Sequence, residues 1–197
     1  PANLKAAREG FENGKISAYE LKAVEDKEIE RLINKQKELG YHFITDGEFR
    51  RATWHLDFMW SFDGVAHEKT KTGLPFHDEA AMIDDTFLCG KVGLSKVHPF
   101  VEYFKFVKQF EDENTVAKQT IPAPAQFLEQ MIMPFALENT SKYYDSTHKL
   151  AEDIANGYKK VIADLYDAGC RNLQLDDCSW GMLVDPRAEE LFGTDKK

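Results

Sequence analysis

Apolar residues at Leu21, Val24, Ile29, Leu32 and Ile33 recur at helical intervals behind Ser17 and Glu20, which have capping-box spacing, and the run stops at Gly40. That pattern predicts an amphipathic helix. "YHFITDGE" then reads as a short, aromatic-rich strand whose end turns polar. Between about residues 60 and 94 the periodicity weakens to alternation in "SFDGVAH" and "DTFLCGKVGL", with "KTKTGLPFHDEAA" between them. This predicts an excursion containing a hairpin. Helical spacing returns at Val101, Phe104 and Val107, and "TVAKQTIPAPAQF" follows as a strand entering a proline-marked loop. A helix from about Tyr143 to Ala168 stops at Gly169, and "NLQLDDCSWG" is a further strand that ends in acid.

Strands alternating with helices of this length point to parallel α/β architecture. "ITDGE", "KQTIPAP" and "LQLDD" each carry polar or turn-forming residues at the carboxyl end. In a β/α barrel those ends converge on one face, the usual site of chemistry. A doubly wound sheet also gathers ligands at strand ends, but no GxGxxG fingerprint recommends one. A whole barrel needs about 250 residues, and only three strand-helix units are legible. The expectation is a single domain over residues 1–197: the incomplete N-terminal portion of a TIM-type (β/α)8 barrel. The start at Pro1 and the ending "LFGTDKK" read as part of a longer protein.

Composition narrows the classes. The chain is 43% hydrophobic and 30% charged, enough to build a core and unlike a disordered chain. A formal net charge of -9 excludes a broad basic surface, so nucleic acid and anionic membrane are poor partners. Cys89, Cys170 and Cys178 show no CxxC spacing and suit reduced thiols, hence a cytoplasmic location. No apolar run reaches membrane-spanning length, and no signal peptide is visible.

The densest candidate chemistry lies in "FITDGEFRRATWHLDF". In an extended segment Asp46 and Glu48 share one side, where they could bind an ammonium, hold a metal or act as acid and base. The alternative is a turn in which Arg50 and Arg51 neutralise them. The second acidic strand end, Asp176-Asp177, favours a shared site, because local pairing does not explain two strands delivering acids to one face. Trp54, His55, Trp60 and Trp180 could stack on a flat heterocycle or pack at a rim, and Trp60 is read as packing. His55 is a candidate catalytic base or a surface residue; Cys178 is read as a wall residue. The six histidines form no metal pattern, and no serine-hydrolase elbow or P-loop occurs.

"ITDGEFRRATWHLDF", "KQTIPAPAQF" and "NLQLDDCSWG", in that order, resemble the catalytic carboxyl-terminal barrel of cobalamin-independent methionine synthase and its short single-barrel relatives. The resemblance runs along the family's first half, with its opening Gly-Ser strand expected before Pro1. It implies a methyltransferase that moves a methyl group from a 5-methyltetrahydrofolate-type donor to the thiol of homocysteine or a similar thiol. By the same resemblance Glu48 and Asp176 contact the substrate amino group, and Arg51 orients the acids or a substrate carboxylate. It also implies zinc as thiol activator, held by ligands outside this chain. The chain departs from the family at Asp46, where the synthase has His, and at Asp177-Cys178, where it has Glu-Pro. Other barrel enzymes of the superfamily, a uroporphyrinogen decarboxylase-like lyase or a zinc-dependent alkyl-thiol transferase, stay open, as does a non-catalytic amino-acid-binding protein. Oligomeric state is not legible.

Overall fold

Ser17 starts the longest packed helix of the N-terminal region as predicted. Its hydroxyl accepts the Glu20 amide at 3.2 Å, and the Glu20 carboxylate accepts the Ser17 amide at 2.8 Å. This reciprocal cap satisfies two amides that a helix start otherwise leaves open. The computed structural model describes residues 1–70, 74–76, 79–81 and 84–184. In it, α1 (Ala2–Glu12) and α2 (Ala18–Glu38) precede β1 (Phe43–Ile44), and Ile29 and Ile33 of α2 are fully buried.

Beyond β1 lie a short α3 (Leu56–Met59) and the excursion. There β2 (Asp63–Glu68) pairs antiparallel with β5 (Asp85–Gly93), and β3 (Leu74–Phe76) with β4 (Glu79–Ala81). Neither pair hydrogen-bonds to the parallel strands among the described residues. Parts of "KTKTGLPFHDEAA" lie outside the described residues. Trp60 braces this hairpin: its indole N–H donates to Thr86 Oγ1 at 2.9 Å, and its ring stacks on His67 at 3.9 Å.

After α4 (Pro99–Lys108), β6 (Val116–Ala117) pairs parallel with β1, and β7 (Gln119–Pro122) pairs parallel with β8 (Leu173–Asp176). Residues 116–122 run on as one segment that serves both neighbours. The Lys118 amide donates to Ile44 O at 3.0 Å, and the next amide, Gln119, donates to Asn172 O at 3.0 Å. "HFI", "VAKQTI" and "LQLD" are thus parallel neighbours in that order. Helices α5 (Pro124–Ile132), α6 (Pro134–Thr140) and α7 (Thr147–Asp167) join β7 to β8, and α8 (Ser179–Leu183) follows. Ile44, Ala117 and Ile121 meet Phe100, Phe104, Phe127, Met131, Leu150 and Val161 in one core. Among the described residues this is a mixed α/β fold with short sheets and no closed barrel, and none of its helices is long and apolar enough to cross a membrane.

Two boundaries differ from the sequence reading. The expected proline-marked loop has almost vanished, because Pro122 ends β7 and Pro124 occupies the first turn of α5, where a missing amide is harmless. Helix α7 begins at Thr147 rather than near Tyr143, capped by the Ser146 hydroxyl. Tyr144 is held outside it because its hydroxyl accepts the Val92 amide and donates to Asp153, each at 2.7 Å. That bond, with Leu88 N–H to Asn139 Oδ1 at 3.0 Å, ties the hairpin to the segment before α7.

Candidate functional site

The chain does not leave β1 as the extended segment that period-two reasoning assumed. Gly47 has φ 62° and Glu48 φ 61°, and Glu48 is the one non-glycine residue with positive φ among the described residues. A Cβ at Gly47 would meet the terminal methyl of Leu32 on α2, the flexible end of a side chain that can shift, so it is the positive φ that favours glycine there. Asp46 Oδ1 accepts the Glu48 amide at 2.9 Å and closes the turn. Asp46 is consequently buried, 5% exposed, whereas the Glu48 side chain retains 33% exposure. The two acids do not share a side, which corrects the sequence reading.

The adjacent arginines diverge. Arg51 donates from Nη1 to Glu48 Oε1 at 2.9 Å and to Trp54 O at 3.1 Å, and from Nη2 to Thr120 O at 2.7 Å and Thr120 Oγ1 at 3.0 Å. Its guanidinium lies over Phe100, 4.4 Å from the ring centre. Both terminal nitrogens are therefore occupied by protein groups, a geometry that orients Glu48. Arg50 turns away to Glu25 at 3.1 Å and to Asp26 on α2, sandwiched against Tyr103 and Phe106. Burial pushes the Glu25 carboxyl up, against the pull of Arg50. The neutralising-turn alternative thus describes Arg51 with Glu48 and not Arg50.

Thr120, which the sequence reading passed over, connects the two strand ends. Its hydroxyl donates to Glu48 Oε1 at 2.9 Å. In register, Thr120 pairs with Gln174 and Pro122 with Asp176. Directly paired residues of a parallel ladder, and residues two apart on one strand, share a face. Gln174 shows this by donating from Nε2 to Asp176 Oδ1 at 2.6 Å. Glu48, held on Thr120, and Asp176 therefore reach the same face, at the carboxyl ends of β1 and β8, the two strands that flank residues 116–122. The threonine alternating with buried Gln119 and Ile121 in "KQTIPAP" was the available signal.

The remaining candidates separate. Asp177 accepts from the Ser179 amide at 2.9 Å and the Ser179 hydroxyl at 2.6 Å, and so starts α8. Cys178 is exposed, and Trp180 is 68% exposed. His55 lies against Trp54, with ring centres 4.5 Å apart, and burial lowers its pKa to about 4 despite nearby Asp57. His98, unremarked in the sequence, is fully buried. Its Nδ1 accepts the Phe100 amide at 3.2 Å, which assigns the proton to Nε2, donating to Phe58 O at 3.0 Å. Burial, aided by Arg51, holds it at about 4. Its position just ahead of Pro99, as the N-cap of α4, was the missed signal. Burial and the charge of Asp177 push the Glu129 carboxyl up, against a bond from Gln126. Among the described residues no group of three His, Cys, Asp or Glu side chains could hold a metal ion.

Parallel strands whose carboxyl ends present an arginine-held glutamate and an aspartate on the same face define an α/β protein with a polar strand-end site. No family model matches the chain. It is 36% identical over 95% of its length to the uncharacterized protein YxjH of Bacillus subtilis, covering 48% of that protein, and 35% identical to YxjG of the same organism, covering 50%. The chain thus spans about half the length of these relatives. It is 25% identical to a 5-methyltetrahydropteroyltriglutamate–homocysteine methyltransferase from Thermodesulfovibrio yellowstonii, of which it covers 27%. Among solved structures it is similar to a provisionally assigned vitamin-B12-independent methionine synthase from Listeria monocytogenes, with TM-score 0.73 and 38% identity over 94% of this chain and 51% of that one. A B12-independent methionine synthase from Shewanella shares the fold, with TM-score 0.59 at 22% identity, over 89% of this chain and 51% of that one.

Proposed function

We propose that this chain is the amino-acid-binding portion of a methionine-synthase-like methyltransferase, which transfers a methyl group from a 5-methyltetrahydrofolate-type donor to homocysteine or a similar thiol. The observation that carries the reading is the pair Glu48 and Asp176, two acids from separate strand ends facing one side, in a chain similar to methionine synthases. Glu48 Oε1 is held by Arg51 and Thr120, and none of the described residues bonds Oε2. An acceptor fixed on one oxygen and open on the other suits a substrate ammonium, since charged hydrogen bonds are the strong ones.

Binding the amino end defines where the thiol sulfur sits, and holding sulfur in line with the methyl carbon supplies the rate advantage of a unimolecular step. The sulfur lone pair forms the new S–C bond while the methyl–nitrogen bond breaks, and the departing amine nitrogen takes up a proton. Zinc belongs to this proposal as a thiol activator, with ligands that the resemblance to methionine synthases puts outside this chain. The role of this chain's own residues is to bind and orient the substrate.

Asp176→Asn tests the reading in the intact protein. The change preserves shape and removes one charge, so homocysteine affinity measured by calorimetry is expected to fall about tenfold or more. Zinc content measured alongside is expected to stay at the wild-type level. Unchanged homocysteine binding sinks the ammonium role, and lost zinc moves Asp176 to the metal site.

A further inference from the structure

The turn that delivers Glu48 is held by a residue without a role so far. A glutamate at positive φ is disfavoured by the clash of its Cβ with the backbone, and such outliers persist only where their surroundings enforce them. Here the enforcement is local: Asp46 Oδ1 accepts the Glu48 amide at 2.9 Å, and the Glu48 carbonyl accepts the Arg51 amide at 2.9 Å. Glycine at 47 admits the left-handed step beside Leu32. The turn brings the Glu48 carboxylate to Thr120 Oγ1 and Arg51 Nη1, each at 2.9 Å.

The two oxygens of Asp46 differ. Oδ1 makes the turn bond; Oδ2 is buried and has no partner among the described residues. A half-unpaired buried carboxylate is a poor stabilising element. Stability therefore does not explain the residue, whereas the conformation of its neighbour does.

The geometry points to Asp46 as the positioning residue of the site: Oδ1 locks residue 48 in its left-handed conformation and so presents Glu48, with Oε2 open, to a substrate ammonium. This rests on the proposed role of Glu48 and concerns what places that group.

Two measurements on the intact protein separate the lock from the function it serves. Hydrogen exchange at the Glu48 amide, without ligand, reads the lock; calorimetric titration with homocysteine reads its consequence. In Asp46→Ala the amide is expected to exchange at least tenfold faster, and affinity to fall about tenfold, the loss that goes with one hydrogen bond. Asp46→Asn keeps an Oδ1 acceptor and is expected to restore both within about twofold. Asp46→Ser retains a weaker acceptor and is expected between the two, so it carries the comparison if the alanine variant does not fold. Unchanged exchange in the variants that lack the acceptor overturns the lock. Protected exchange in Asp46→Asn with affinity as poor as in Asp46→Ala also overturns the proposal, because the charge then acts on the ligand directly. If wild type binds no homocysteine while exchange follows the acceptor, the lock stands and the proposed function fails.

Discussion

Arg51 and Arg50 are neighbours in sequence, and nothing in "FRR" tells them apart. Each is nevertheless committed to different partners: Arg51 to Glu48, Trp54 O and Thr120, Arg50 to two acids of α2. The Arg51 side chain is 2% exposed, so truncation leaves Glu48 and the Thr120 carbonyl facing a void. Arg51→Ala is expected to destabilise the protein by about 3 kcal/mol, the lower part of the range for breaking a buried pair, because Glu48 keeps some contact with water. Arg51→Lys supplies one ammonium in place of a planar fork and is expected to recover only part of that loss. Urea unfolding of the three proteins checks this, and equal midpoints rule out a structural role for the Arg51 fork.

Helices α2 and α4 and the body of α7 were legible from the sequence because caps and periodicity act within a few residues. Ser17→Ala removes the reciprocal cap of α2 and is expected to cost about 1 kcal/mol, read as a lower thermal midpoint. Gly157 shows where local reasoning stops. As a glycine inside α7 it invites replacement by alanine, which helix propensity favours by about 1 kcal/mol. In the fold, however, a Cβ at 157 runs into the ring of Phe62, a buried aromatic packed among Phe58, Phe127 and Tyr158. Overpacking costs about 1–3 kcal/mol, so Gly157→Ala is expected to lower the thermal midpoint, and a raised one contradicts the packing. The strands were harder to bound than the helices. β1 is two residues long because the chain turns at Asp46, and residues 116–122 divide their hydrogen bonds between two neighbours.

For the molecule as a whole, buried neutral histidines set an acid limit. His98 and His55 both lie at about 4 against an ordinary value of 6.5, chiefly through burial. Between those values the unfolded chain binds more protons, so stability is full above about pH 6.5 and falls as pH drops towards 4. For fully buried His98 the loss approaches about 3 kcal/mol at most. Glu25 and Glu129, raised by burial, act in the opposite sense just above their ordinary value of 4.5. The comparison with His98→Asn therefore isolates the effect: its unfolding free energy is expected to fall less steeply from pH 7 to 4.5, and identical slopes refute the assignment. What the sequence by itself determined is the succession of helices and parallel strands with polar residues at the strand ends, since capping, periodicity and burial are written in short-range spacing. Only the tertiary structure decided that Glu48 meets Arg51 and Thr120, that Asp46 faces inward, and that His98 is core. Those outcomes depend on a left-handed turn beside Leu32 and on Thr120, 72 residues from Glu48 in the chain, and side-chain direction in a turn follows from its dihedral angles rather than from residue spacing.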